Sequence, residues 1–122
     1  MKIILKGLTM TKVYEYKLIE DKTTNNGYVS SNGSSIVSDE NASTFIYNCS
    51  TYKYLKVVST DNKNIAPYAR FVDSNNALVG TVISYTTKGE TELTVPSGAT
   101  KFQITDTYNS RSNVVSVYGK KG

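Results

Sequence analysis

The 122-residue chain has no histidine, no tryptophan and one cysteine, Cys49. It is long enough for one packed domain, but a Ser-His-Asp triad, a Cys-His pair, a His-based zinc site and an intrachain disulfide are excluded. Its formal charge of +4 is spread along the chain with both signs interspersed, which reads as a basic protein with no nucleic-acid partner.

The chain reads as short strands separated by turn clusters. Lys2–Lys6 is a first strand, its apolar run interrupted by Lys6, so neither an export signal nor membrane insertion is expected. Lys12–Glu20 is a second, with Tyr14, Tyr16 and Leu18 on the more apolar face. Thr23 to Asn26 breaks the pattern. Gly27-Tyr28-Val29 is a short strand, Ser30 to Ser35 a loop, Ile36-Val37 an apolar island and Ser38 to Ser43 a further loop. Thr44–Tyr47 and Tyr52–Ser59 are strands around a break at Asn48 to Thr51. Asp61 to Asn64 is a turn signal. Tyr68–Asp73 and Ala77–Tyr85 then form a hairpin about Ser74-Asn75-Asn76. After the Lys88-Gly89 break come Thr91–Val95, the Pro96-Ser97-Gly98 turn, Thr100–Thr105 with Phe102 and Ile104 on one face, a polar loop from Asn109 to Asn113, and Val114–Tyr118.

This pattern predicts an all-β chain, an antiparallel β-sandwich or jelly roll, with an N-terminal β arm. Residues 1–26 are the arm and residues 27–122 the sandwich. Ile3, Ile4, Leu5, Tyr14, Tyr16 and Leu18 are the arm's apolar residues, suited to adding strands to a neighbouring chain.

Four segments carry a family resemblance: Gly27-Tyr28-Val29-Ser30-Ser31-Asn32-Gly33, Ser50 to Val57, Ala69-Arg70-Phe71-Val72-Asp73, and Leu93 to Ile104 with its internal Pro96-Ser97-Gly98-Ala99. They resemble the opening strand and loop, the strand after the first long loop, the central strand and the closing turn of carbohydrate-binding-module-like jelly rolls. These occur in phage tail, fibre and capsid-surface proteins and in bacterial surface proteins. The resemblance, with no export signal expected, implies a phage virion structural protein: a capsid-decoration, head-fibre or tail component assembled in the host cytoplasm. Its partners would be other virion proteins, in a homo- or hetero-oligomer, and a bacterial surface glycan. The alternative is a carbohydrate-binding module of a secreted or cell-surface bacterial protein. The absence of tryptophan departs from glycan-binding members, which often stack sugars on that ring.

The candidate ligand-binding residues are Tyr47, Tyr52, Tyr54, Tyr68 and Tyr85, all on predicted strands. Each is a sugar or protein contact, or a half-buried sheet residue with its hydroxyl at the rim. No cofactor is expected. The resemblance allows a structural calcium, with Asp73 as the candidate ligand, although 73–76 is more simply a turn and Asp39, Glu40 and Asp61 complete no calcium-loop spacing. No enzymatic activity is expected. Asp73 and Asp106, at strand ends, are the one carboxylate pair that glycoside hydrolysis would draw on. Cys49 has no histidine to activate it and reads as a buried thiol. The sequons at Asn32, Asn41 and Asn48 read as chance matches in an Asn/Ser-rich chain.

Overall fold

A computed structural model describes residues 14–60, 68–84, 88–109, 111–112 and 115–122, with 111–112 described for the backbone alone. These residues form twelve strands: β1 Lys17–Leu18, β2 Lys22–Asn25, β3 Gly27–Val29, β4 Ile36–Ser38, β5 Ser43–Asn48, β6 Tyr54–Ser59, β7 Tyr68–Val72, β8 Leu78–Ser84, β9 Gly89–Thr94, β10 Lys101–Tyr108, β11 Arg111–Ser112 and β12 Val115–Lys120. A four-stranded sheet runs β1-β12-β6-β9. A six-stranded sheet runs β2-β5-β10-β7-β8, with β11 on β10. β3 and β4 form a separate hairpin. All the pairings are antiparallel, and the fold is an all-β sandwich. Among the described residues no helix is long and apolar enough to cross a membrane.

The core lies between the two large sheets. In β6, Leu55 and Val57 turn inward while Tyr54, Lys56 and Val58 turn outward, the period-2 signature of a half-buried strand. Leu55, Val57, Val115 and Val117 from the four-stranded sheet meet Tyr47, Ala69, Phe71, Phe102 and Ile104 from the six-stranded one. Phe71 and Phe102 are directly opposed across β7 and β10, with ring centroids 4.9 Å apart. Gly119 sits where β12 meets this core. A Cβ there would fall 2.5 Å from the Tyr52 ring, so the close approach requires glycine.

The β6, β7, β9 and β5 segments and the β7–β8 hairpin lie where the sequence pattern predicts them. The N-terminal segment differs. Only Lys17–Leu18 of the predicted Lys12–Glu20 strand is a strand among the described residues, and burial falls on Ile19, not on Leu18, which is 49% exposed. The Ile19 N–H donates to the Val117 carbonyl at 2.9 Å, which draws that side chain into the core. Thr23 to Asn26, read as a break, overlaps Lys22–Asn25, which is edge strand β2 on β5. All four of its residues are exposed, so no burial period marked it. The Asn109–Asn113 loop contains the short strand β11. Of the arm residues, Tyr14, Tyr16 and Leu18 lie along this chain's own four-stranded sheet. Ile3, Ile4 and Leu5, with the Lys2–Lys6 strand and the Asp61–Asn64 turn, fall outside the described residues.

Candidate ligand-binding site

The outer faces of the two sheets differ. The six-stranded sheet has a third layer over it, the β3–β4 hairpin and the 30–35 loop. Two buried hydrogen bonds fasten the hairpin: Val29 N–H to Thr105 Oγ1 at 2.9 Å, and Thr44 Oγ1 to the Gly27 carbonyl at 2.8 Å. Both partners on the sheet are threonines, β-branched residues that suit strands and carry a hydroxyl able to serve a backbone group outside the ladder.

The loop is shaped by its own polar groups. Asn32 Oδ1 accepts from Ser30 Oγ, Ser34 Oγ and Ser34 N–H at 2.8, 2.7 and 3.0 Å, and the Gly33 N–H donates to the Ser30 carbonyl at 2.9 Å. Gly33 has φ +71°, and a Cβ there would fall 2.9 Å from Val82 Cβ, so both conformation and space require glycine. Arg70, 4% exposed on β7, ties the loop to the sheet. Its Nη1 donates to the Gly33 carbonyl at 3.0 Å and its Nε to Gln103 Oε1 at 2.7 Å. Burial lowers the Arg70 pKa from its ordinary value, because the charged form is the one that desolvation penalises.

Beside this fastened layer opens a cleft of about 350 Å³ lined by Tyr28, Val29, Ser30, Ser31, Val37, Tyr68 and Tyr108. Tyr28 stands on β3 between the buried Gly27 and Val29, so the alternation that buries its neighbours turns its ring toward the cleft. Tyr68 opens β7 and Tyr108 ends β10, beyond a register shift between Thr105 and Thr107. Tyr28 and Tyr108 meet edge to face, centroids 4.8 Å apart and planes at 86°. Among the described residues none of the three phenol hydroxyls is hydrogen-bonded within the chain. The cleft therefore offers aromatic surface with free hydroxyls, in a concavity at the small end of the range for small-molecule sites.

Of the tyrosines singled out by sequence, only Tyr68 lines this cleft among the described residues. Tyr47 is 1% exposed, deep in the core, where burial and then the nearby Asp106 carboxylate hold its phenol well above the usual range. Tyr52 packs on the core rim against Gly119. Tyr54 stands on the outer face of the four-stranded sheet. Tyr85 lies outside the described residues. Sequence reading missed Tyr28 and Tyr108. Tyr28 falls inside the opening motif of the resemblance, whereas Tyr108 lies past the predicted end of its strand.

The acidic candidates are held in structural contacts. Asp73 Oδ1 accepts from Asn75 N–H at 2.8 Å and Ala77 N–H at 3.0 Å, closing the turn in which Asn76 has φ 62°. Asp106, 8% exposed, accepts from Val115 N–H at 3.1 Å and from the Thr107 hydroxyl at 3.1 Å. The register places Asp73 beside Thr100, so Asp73 and Asp106 are separated by about six residues of strand, about 20 Å. Carboxyls that flank a glycosidic bond stand within about 10 Å of each other. Among the described residues, no three His, Cys, Asp or Glu side chains cluster as a metal site. Cys49 is fully buried, and burial pushes its thiol up to about 11.

No protein-family model matches the chain, and no curated protein does. Among solved structures it is similar to the enzymatically active domain of tailspike protein 4 of bacteriophage CBA120, at 15% identity and a TM-score of 0.34. That match covers 88% of this chain and 19% of the tailspike chain. The chain thus spans about a fifth of the protein it matches.

Proposed function

We propose that this chain is a phage virion structural module, a capsid-decoration, head-fibre or tail component. It assembles with other virion proteins and holds a host-surface saccharide, without turning it over, between Tyr28, Tyr68 and Tyr108. The observation that carries the binding role is the convergence of three tyrosines with unengaged hydroxyls on one cleft. A sugar ring presents an apolar C–H face and a rim of hydroxyls. A tyrosine answers both, with its ring and its phenol. The buried Arg70–Gly33 and Val29–Thr105 contacts hold the cleft wall in place before a ligand arrives, which lowers the ordering cost of binding. The virion setting rests on the resemblance of residues 27–118 to phage-borne jelly rolls.

The same cleft supports a second reading, a carbohydrate-binding module of a secreted or cell-surface bacterial protein. Glycan-array screening followed by calorimetry tests what the two share. Saccharide binding is expected, weakened about tenfold or more (about 1.4 kcal/mol) by Tyr28→Ala or Tyr108→Ala. No saccharide above background, or undiminished binding by both variants, overturns the cleft reading. Release of new reducing ends from a bound polysaccharide overturns the non-catalytic part. Light scattering separates the settings: assembly of the purified chain is expected for the virion component, and a strict monomer for the isolated module.

A further inference from the structure

Among the described residues, the outward face of the four-stranded sheet carries an ordered array of tyrosine and lysine. On β6 and β12 the cross-strand partners are Tyr54 with Lys120 and Lys56 with Tyr118, so ring and ammonium alternate along both strands and across them. Tyr16 lies over the same face beside β1. The Lys120 ammonium stands 4.8 Å from the Tyr16 ring centroid and 5.0 Å from that of Tyr54. Lys56 stands 4.8 Å from Tyr16 and 5.6 Å from Tyr118, and Lys53 lies 5.6 Å from Tyr54. Each cation is held over one or two π faces, the geometry in which the ring quadrupole attracts it.

Two consequences follow. A surface lysine ordinarily loses rotamer freedom when a ligand fixes it. Here the rings already restrict the side chains, and each ammonium keeps N–H donors directed away from the ring. Among the described residues, the three lysines of the array also outnumber the carboxylates that the register places beside them on edge strand β9: Glu90, opposite Val58, and Glu92, opposite Lys56 and, after desolvation, raising the Tyr16 phenol. Glu90 reaches Lys56 at 3.8 Å. Lys53 and Lys120, toward β12 and β1, have no carboxylate partner.

We infer that this face docks an acidic polysaccharide, with Lys53 and Lys120 taking carboxylate groups and the tyrosine hydroxyls taking sugar hydroxyls. Charge complementarity points to an anion. The capped ring faces select among anions, because single-stranded nucleic acid is held by bases stacked on open aromatic faces, and these are occupied by lysine. A protein partner would need apolar anchors in desolvated pockets, whereas this face is an open array of charged and phenolic tips. The inference is independent of the tyrosine cleft, which lies against the other sheet.

Electrophoresis of the full chain through gels containing polygalacturonate or neutral dextran tests it, with a parallel titration of single-stranded DNA. Retardation by polygalacturonate alone is expected. It should be abolished at about 1 M salt, where the screening length is about 3 Å. Lys53→Gln with Lys120→Gln should weaken it tenfold or more, and Lys53→Arg with Lys120→Arg should retain it. Circular dichroism melts establish that each variant is folded. Equal retardation by dextran, binding to DNA alone, or full retardation of the folded double glutamine variant overturns the inference.

Discussion

The two outer faces of the sandwich hold their polar side chains in opposite ways. On the six-stranded sheet, polar side chains are buried beneath a hairpin, and every one is engaged: Arg70 with Gly33 and Gln103, Thr105 with Val29, Thr44 with Gly27. On the four-stranded sheet, lysines and tyrosines that are mostly half-buried touch mainly each other. A hydrogen bond in a buried layer is expensive to leave unmade, whereas a surface cation–ring contact is weak and replaceable by water. The covered face is therefore rigid and sensitive to single changes. The open face is tolerant, and its properties are collective.

The comparison breaks most sharply at Arg70. Arg70→Met orphans the Gly33 carbonyl and the Gln103 amide oxygen under the hairpin. A loss of about 3 kcal/mol is expected in urea denaturation, at about 1–3 kcal/mol per orphaned group, together with weaker saccharide binding as the 30–35 loop loosens. A loss under 0.5 kcal/mol would mean that the loop is not held by this contact.

The interior between the faces should respond to alkali. Cys49 is raised from 9.0 to about 11 and Tyr47 lies higher still, both because burial disfavours the anion. For each, the unfolded chain loses its proton first. The contribution to stability is full below the unfolded value and is lost as pH rises through the folded one. Stability measured by urea titration should fall between pH 9 and about 11, and Cys49→Ala should flatten that fall.

The smallest effect belongs to the open face. Lys120→Gln removes two cation–ring contacts and should change stability by about 1 kcal/mol or less, fading further in high salt. A larger change would show that the array pins Tyr16 and the neighbouring β1 to the sheet.

Much of the sandwich was legible because burial imprints a period of two on strands with one wet face. Leu55 and Val57 alternate with Tyr54, Lys56 and Val58. Where burial was absent the signal failed, as in β2, which is exposed throughout. β10, predicted as Thr100–Thr105, is buried on both faces from Phe102 to Asp106 and runs on to Tyr108. The cleft was scarcely legible. Tyr68, Tyr28 and Tyr108 sit about forty residues apart in succession, and nothing local to each distinguishes it from Tyr47, which the same alternation buried.

The sequence by itself determined the class of fold, most of the strand-forming segments and a chemistry without histidine, since these follow from composition and from patterns within a few residues. Only the tertiary structure decided which tyrosines are core and which are surface, that Arg70 is sealed under a hairpin, and that lysines from β6 and β12 interleave with rings on one face. Each of these depends on which strands become neighbours, and strand pairing is set by how distant apolar faces close on one another.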